Sequence, residues 1–340
     1  MSGHLVDRRP EVPAETLVEQ LVPPPRFAAV RFETYLPDPE QPTQAAALAA
    51  VRVFADRTGD GSSGRRGWWS WRRAAPPEDR PGLYLDGGFG VGKTHLLASL
   101  WHESAGPPSQ RIFCTFVELT NLAGALGFAA TVEQLSRTRL LCIDEFELDD
   151  PGDTVLVATM LGRLAEAGVR FAATSNTLPG RLGEDRFAAQ DFLREIQSLS
   201  ARFDVVRIDG EDYRHRGLPN APTPATDAQV LQSATTRGST LDDFADLCRH
   251  LGSVHPSRYG PLLDGVSRVH LLGVRTVDDQ ATALRLVVLA DRLYDRAVPV
   301  VASGVPLDQL FEPEMLTGGY RKKYFRAVSR LIALAREAMN

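Results

Sequence analysis

Short apolar runs alternate with helical patterns through the middle of the chain. The apolar runs lie at 83–85, 111–117, 140–143, 171–174 and 205–208. Helical patterns lie at 41–56, 93–103, 118–128, 153–167 and 189–199. Strands that alternate with helices are typical of βαβ units, whose parallel sheet is covered by helices on both faces. The pattern therefore predicts an α/β fold with a parallel sheet flanked by helices.

Proline-rich stretches divide the chain into parts. Residues 1–40 are rich in proline and predict an extended N-terminal arm, which precedes the α/β domain at 41–216. Residues 217–226 contain three further prolines and predict a semi-rigid linker. A smaller, mainly helical C-terminal domain is expected over 227–340. Its helical patterns lie at 227–236, 240–252, 278–295 and 320–338, and its strand-like runs at 268–274 and 298–302. No internal repeat of fixed period is evident.

Composition narrows the class of protein. A length of 340 residues with 43% hydrophobic and 24% charged residues suits two globular domains. No apolar run is long enough to span a membrane, and no signal peptide is evident, so a cytoplasmic location is expected. The three cysteines have no metal-binding spacing. A net charge of −5 does not favour nucleic acid as a general partner.

A glycine-rich segment follows the first apolar run of the α/β domain. It matches G-x-x-x-x-G-K-[ST], the P-loop pattern, and it opens a helical run. Its residues are Gly87, Gly88, Phe89, Gly90, Val91, Gly92, Lys93, Thr94 and, as the next helical residue, His95. Backbone N–H groups of such a loop surround the β-phosphate of ATP, the lysine reaches the β- and γ-phosphates, and the hydroxyl ligates Mg²⁺. The alternative is an ordinary glycine turn before a helix. However, Lys93 is one of only three lysines in the chain, the others being Lys322 and Lys323.

Two acidic residues end the third apolar run. Asp144 and Glu145 follow it directly, about where a P-loop protein carries the carboxylates of its magnesium site. Asp144 is the expected metal residue, together with Thr94, and Glu145 would polarise the attacking water. Asn176, at the end of the next run, is expected to help position that water. For each of these residues the alternative is a solvated turn after a strand.

Arginines are numerous, and several are candidates for stabilising the transition state. A P-loop ATPase often receives one arginine from a neighbouring subunit and another from its C-terminal domain. Arg186, Arg194 and Arg202 are candidates for the first, and Arg326 and Arg330 for the second. Of these, we take Arg186, Arg194 and Arg326 as catalytic candidates. Each could equally be a surface charge.

A tryptophan-rich segment precedes the first strand. Trp68, Trp69 and Trp71 lie among arginines in a pattern that could stack on single-stranded nucleic acid or contact a membrane surface. The alternative is a loop before the first strand whose tryptophans pack on the domain core or near adenine.

With these motifs placed, the chain resembles the ZapE family of bacterial cell-division ATPases and their mitochondrial AAA+ relatives. The resemblance covers nearly the whole chain and rests on motifs in order. In chain order they are the segment that leads into the ATPase domain at 37–45, the P-loop at 82–96, the acidic strand end at 141–146, the run that contains Asn176 at 173–176, the segment that leaves the ATPase domain at 209–214, and the terminal helix segment at 326–331. It implies an AAA+ (ASCE-type) P-loop sheet with a C-terminal lid domain, ATP and Mg²⁺ as cofactors, assembly into homo-oligomers, and a division-ring protein of the FtsZ kind as partner.

Two other functions stay open at this point. One is a nucleic-acid-associated AAA+ ATPase of the helicase-loader kind that grips single strands through the tryptophan segment. The other is a nucleotide switch that binds ATP and hydrolyses it very slowly.

Overall fold

The computed structural model describes residues 3–10, 18–59, 80–88, 90–146, 151–178, 193–210 and 221–339. Contacts divide these residues into two compact units. The core unit holds the described residues within 14–23 and 27–213. The C-terminal unit holds those within 1–13, 24–26 and 214–340.

Five parallel strands form the sheet of the core unit. They are β1 Gly82–Gly87, β2 Arg111–Thr115, β3 Leu140–Asp144, β4 Arg170–Ser175 and β5 Phe203–Ile208. Their order in the sheet is β2-β3-β4-β1-β5. Most residues of β1 to β4 are buried, as expected for strands covered on both faces. The predicted parallel sheet is confirmed.

Helices cover both faces of this sheet. They are α1 Pro42–Gly59, α2 Lys93–Glu103, α3 Phe116–Leu126, α4 Phe128–Leu135, α5 Pro151–Glu166 and α6 Leu193–Ser200. The predicted helix at 118–128 is wrong in its bounds, because Gly127 has a φ of 84° and separates α3 from α4. The predicted strand 111–117 ends at Thr115, whose side chain caps α3 in a reciprocal pair with Glu118.

The C-terminal unit contains a second parallel sheet. Its strands are β6 Ser239–Asp243, β7 Arg268–Val274 and β8 Val300–Gly304, side by side in chain order. Its helices are α7 Asp227–Ser233, α8 Phe244–Ser253, α9 Tyr259–Leu262, α10 Gln280–Asp295 and α11 Arg321–Glu337. The unit is mainly helical, as predicted. The predicted helix 240–252 is wrong in its first residues. Helix α8 begins at Phe244, because Asp243 ends β6 and caps α8 through its side chain. Within the described residues, none of the helices has the length and apolar character needed to cross a bilayer.

The expectation of an extended arm over 1–40 is wrong for its described residues. Leu5 is fully buried in the apolar core of the C-terminal unit. Gly3 pairs with Thr240 at the edge of β6, and the N–H groups of Leu5 and Val6 donate to the Asp242 carboxylate. In the core unit, Phe32 and Tyr35 are also buried. Proline content signalled extended backbone, but it could not reveal that a sheet edge supplies that backbone with hydrogen-bond partners.

The end of the predicted linker is an ordered junction in the C-terminal unit. Ala225 forms a parallel bridge with Ser303 of β8, and the next residue, Thr226, is the N-cap of α7. Residues 217–220 lie outside the described part of the chain. The domain boundaries predicted from sequence stay a prediction.

The C-terminal sheet repeats the arrangement of β2, β3 and β4. In both sheets three parallel strands lie in chain order, and a 16-residue helix joins the second strand to the third. The pairing registers correspond as well. The matching pairs include Ile112 with Leu141 and Leu141 with Phe171 in the core unit, and Thr240 with Val269 and Val269 with Val300 in the C-terminal unit.

The turn after each 16-residue helix also corresponds. Val169 donates its N–H to the carbonyl of Leu164 at 2.9 Å, and Val298 donates to the carbonyl of Leu293 at 2.9 Å. The chain therefore contains a structural repeat that sequence inspection did not reveal. Parallel strands and their crossover helix constrain the apolar pattern far more than residue identity, so the backbone geometry recurs with little sequence similarity.

Burial of Leu5 generates a prediction about stability. Leu5→Ala is expected to lower the free energy of unfolding by about 2–5 kcal/mol, because it removes a fully buried side chain and leaves a cavity. Leu36→Ala is the matched control, since Leu36 is 84% exposed and its loss should cost less than about 0.5 kcal/mol. Urea denaturation of both variants measures the difference. Equal stabilities would contradict the packed position of residues 3–10.

Candidate active site

The P-loop joins β1 to α2. Gly90 and Gly92 have φ values of 81° and 86°, a left-handed conformation that glycine adopts without steric cost. A Cβ atom on Gly92 would lie 2.5 Å from Cε2 of Tyr35, so glycine is required there by space as well as by conformation. Helix α2 begins at Lys93, and its first N–H groups face the loop with the positive end of the helix dipole. Phe89 lies outside the described residues.

Lys93 lies between the P-loop and the end of β4. Its amino group donates to the carbonyls of Gly87 and Gly88 at 2.8 Å and 2.5 Å. It also donates to Oδ1 of Asn176 at 2.9 Å. The strand order explains this contact, because β4 lies directly beside β1. The lysine and the asparagine singled out from sequence therefore meet.

The Asp144 carboxylate accepts hydrogen bonds from two hydroxyl groups. The Thr94 hydroxyl on α2 donates to Asp144 Oδ1 at 3.2 Å, and the Thr174 hydroxyl on β4 donates to the same oxygen. Asp144 is 7% exposed and Thr174 is 2% exposed. The two residues expected to serve the metal, Thr94 and Asp144, thus lie in contact.

Glu145 occupies a left-handed conformation. Its φ is 53°, one of two positive values among the described non-glycine residues. Such a conformation costs a non-glycine residue about 1–2 kcal/mol and is common at functional sites. The Glu145 N–H donates to the Thr174 hydroxyl at 3.0 Å, which holds the turn. Thr174 therefore contacts both acidic residues.

The sequence motifs indicated no role for Thr174. They also gave no sign that the short segment 31–35 packs on the P-loop. The Tyr35 hydroxyl donates to the carbonyl of Val91 at 3.0 Å, and Thr34 Oγ1 lies 2.8 Å from Nε2 of His95. Burial lowers the pKa of His95 below its usual value, and a hydrogen bond with the Arg31 carbonyl opposes this shift. His95 is therefore expected to be neutral near pH 7, so Lys93 is the positive side chain of this loop. The "ATSN" run that revealed Asn176 contains Thr174, but only the register shows that Thr174 lies beside Asp144.

The candidate arginines are dispersed. Arg194 is exposed on α6, whereas Arg202 packs its guanidinium over Gly162 in α5. Arg326 and Arg330 lie in the C-terminal unit, where both form ion pairs with Asp291, at 2.7 Å for Arg326. Arg186 lies outside the described residues, as do Trp68, Trp69 and Trp71. The catalytic role of any arginine stays a prediction.

The residues present fit a nucleotide with magnesium. Backbone N–H groups at the start of α2 and the Lys93 amino group suit phosphate oxygens. A threonine hydroxyl and a carboxylate are hard oxygen ligands of the kind that Mg²⁺ prefers, and Mg²⁺ usually takes its other ligands from phosphates and water.

A protein-family model matches most of the chain. The family model described as AFG1-like ATPase matches residues 11–236 and 224–340. The chain belongs to the AFG1-like ATPase family. The first matched segment contains the P-loop and the acidic strand end, and the second covers residues 224–340 of the C-terminal unit, so both units are part of the family pattern. The chain is accordingly an ATP-hydrolysing P-loop enzyme, as the sequence predicted.

Curated relatives agree with the family. The chain is 27% identical over 304 residues to the cell division protein ZapE of Escherichia coli K12, covering 77% of this chain and 80% of that protein. It is 24% identical over 307 residues to lactation elevated protein 1 homolog B of Danio rerio, covering 72% of this chain and 60% of that protein. The resemblance to a ZapE-like AAA+ ATPase is confirmed.

Two solved structures are less similar to the chain than these relatives. The crystal structure of DnaI matches with 18% identity and a TM-score of 0.42, covering 58% of this chain and 98% of that chain. Domain III of the replication initiation protein DnaA from Thermotoga maritima matches with 14% identity and a TM-score of 0.39, covering 80% of this chain and 90% of that chain.

The tight packing at Gly92 generates the second prediction. Gly92→Ala is expected to cost about 1–2 kcal/mol for the left-handed backbone, with a further loss because its methyl group displaces the Tyr35 ring. The P-loop should then bind ATP more weakly. Gly124→Ala in α3 is the control, since nothing lies within 4 Å of its Cβ position. Thermal denaturation and ATP titration of both variants provide the test, and equal ATP affinity in the two would contradict the role of this contact.

Proposed function

We propose that the chain hydrolyses Mg·ATP with Lys93, Thr94, Asp144, Glu145 and Asn176 as its working residues. The observation that carries this proposal is the pair of contacts that close the site: Lys93 with Asn176, and Thr94 with Asp144. They bring the β1 loop, the end of β3 and the end of β4 together at one edge of the sheet. That edge, outside the carboxyl ends of parallel strands, is where α/β proteins bind their ligands.

Each side chain has a distinct task in this proposal. Lys93 and the α2 N–H groups hold the β- and γ-phosphates, and Thr94 and Asp144 hold Mg²⁺, which neutralises the charge that develops on the phosphates. Glu145 orients and polarises the attacking water. Asn176 already contacts Lys93, so it lies at the right edge of the sheet to hold that water near the γ-phosphate.

An arginine from a second copy of the chain completes the proposed site. Arg194 is exposed on α6, and so is accessible to a neighbour, and Arg186 is the other candidate. Arg326 is the candidate from the C-terminal unit, although its pairing with Asp291 must then be exchanged for phosphate. This arrangement makes turnover dependent on homo-oligomer assembly.

The third prediction separates binding from hydrolysis. Lys93→Ala should weaken ATP binding and abolish turnover, because it removes the phosphate-binding cation. Glu145→Gln should bind ATP as tightly as the wild type while its rate falls by about 10²-fold or more, because it removes only the group that polarises water. Phosphate release and ATP titration measure the two effects. Glu145→Gln turnover equal to that of the wild type would contradict the proposed base, and wild-type turnover no faster than that of Lys93→Ala would contradict the site.

We further propose that the ATPase acts in the cytoplasm on a protein of the division ring, of the FtsZ kind. Support comes from the similarity to the cell division protein ZapE over 77% of this chain. The net charge of −5 gives no general attraction for nucleic acid, so the helicase-loader alternative is not favoured.

The fourth prediction concerns this partner. The ATP-loaded Glu145→Gln variant should co-sediment with FtsZ polymers in a saturable manner, because it holds the nucleotide state in which the partner is engaged. Lys93→Ala, which is expected to bind ATP more weakly, is the matched control and should remain in the supernatant at ATP concentrations that load the Glu145→Gln variant. Single-stranded DNA should leave the wild-type ATPase rate unchanged. Salt-dependent stimulation by DNA without FtsZ binding would instead support the helicase-loader alternative.

A further inference from the structure

Two hydroxyl groups occupy corresponding positions in the two sheets. Thr174 lies on β4 and Ser303 lies on β8, the third strand of each structural repeat. The Thr174 hydroxyl accepts the N–H of Glu145 at 3.0 Å, and the Ser303 hydroxyl accepts the N–H of Gly273 at 3.0 Å. Both N–H donors have positive φ values, 53° and 64°. The chain therefore contains the same hydroxyl-to-amide contact twice, once at the candidate active site of the core unit and once in the C-terminal unit.

The two hydroxyl-to-amide contacts differ in the residue that precedes the amide donor. Asp144 pairs with Thr115 in the core sheet, and Leu272 pairs with Asp243 at the corresponding position in the C-terminal sheet. The Thr174 hydroxyl donates its single proton to Asp144 Oδ1. At Ser303 the corresponding neighbour is a leucine, which has no acceptor in its side chain. The contact with the amide is thus common to both turns, whereas the contact with the carboxylate belongs to the copy that carries the site.

Burial gives the carboxylate contact its importance. Thr174 is 2% exposed and Asp144 is 7% exposed, so little water can replace the hydroxyl as a donor. The other hydroxyl on Asp144 Oδ1 belongs to Thr94, which is itself a proposed ligand of Mg²⁺. Thr174 is therefore a buried donor that can fix the carboxylate independently of the metal, and the same side chain accepts the Glu145 N–H.

We propose that Thr174 is a positioning residue that sets the orientation of Asp144 for Mg²⁺. This inference rests on the metal role proposed for Asp144. Residues that hydrogen-bond a metal ligand orient it and typically change metal affinity or activity by about 10- to 100-fold when they are replaced. A serine keeps both the oxygen that accepts the Glu145 N–H and the proton that is donated to Asp144, and Ser303 shows that a serine hydroxyl makes the amide contact at the same 3.0 Å, so Thr174→Ser should preserve function.

The test compares hydroxyl removal in the two repeats. Thr174→Val keeps the side-chain shape, and Thr174→Ala serves as a second variant if the valine form does not fold. ATP affinity is measured calorimetrically with and without Mg²⁺ in the Glu145→Gln background, which prevents turnover. We expect affinity without Mg²⁺ to change less than about twofold, and the gain in affinity from Mg²⁺ to fall by about 10-fold. In the chain with Glu145 intact, kcat should fall by about 10- to 100-fold, and Thr174→Ser should restore both values.

Ser303→Ala is the internal control. It removes the corresponding hydroxyl from the C-terminal unit and should lower the melting temperature, while the Mg²⁺-dependent gain in ATP affinity and kcat stay within about twofold of wild type. If Thr174→Val and Thr174→Ala retain the wild-type gain from Mg²⁺, the proposal is overturned. Equal losses in Ser303→Ala would overturn it too, because the effect would then reflect stability alone. An absence of any Mg²⁺-dependent gain in the wild-type chain would instead overturn the proposed metal role of Asp144, and it would be visible before any variant of Thr174 is made.

Discussion

The position of β4 between β1 and β3 is the constraint on which the site depends. Parallel strands in this order present three carboxyl ends side by side, so a loop, a carboxylate and an amide that are far apart in sequence meet at one edge. The Ile143–Ala173 register then brings the next residue on β4, Thr174, beside Asp144. Had the strands slipped by one residue, the side chains would alternate to the other face and these contacts would be lost. The chemistry therefore depends on strand register as much as on the motifs themselves.

Much of this arrangement could be predicted from sequence. The five strands of the core unit appear as apolar runs, and the P-loop, the acidic pair and Asn176 follow directly from short motifs with fixed spacing. The role of Thr174 could not be predicted in the same way. It depends on which strands are neighbours and in which register, and a threonine inside an apolar run looks like an ordinary strand residue.

The N-terminal segment and the C-terminal sheet show the other limit of sequence reasoning. Residues 3–10 are predicted as part of an extended arm, because this proline-containing region has no helical or strand periodicity in its apolar residues. In the structure, however, Leu5 is fully buried. Residues 240–243 are predicted as the start of a helix, because the Asp243 cap lies within the apolar pattern of α8. In both cases the deciding partner lies far away in sequence, at the edge of β6 or beside β7, so local patterns could not reveal it.

The junction at 225–227 has a consequence for how the chain handles nucleotide. In the core unit, Leu85 pairs with Thr174, and a glycine-rich loop intervenes before α2 begins at Lys93. In the C-terminal unit, Ala225 pairs with the corresponding Ser303, and α7 begins at Asp227 directly after its cap. This strand-to-helix step is too short for a ring of amides to enclose an anion. Among the residues that the structure describes, the anion-binding loop at 87–94 therefore has no counterpart at 225–227, so the two repeats share their strand geometry without sharing a nucleotide cradle at this position.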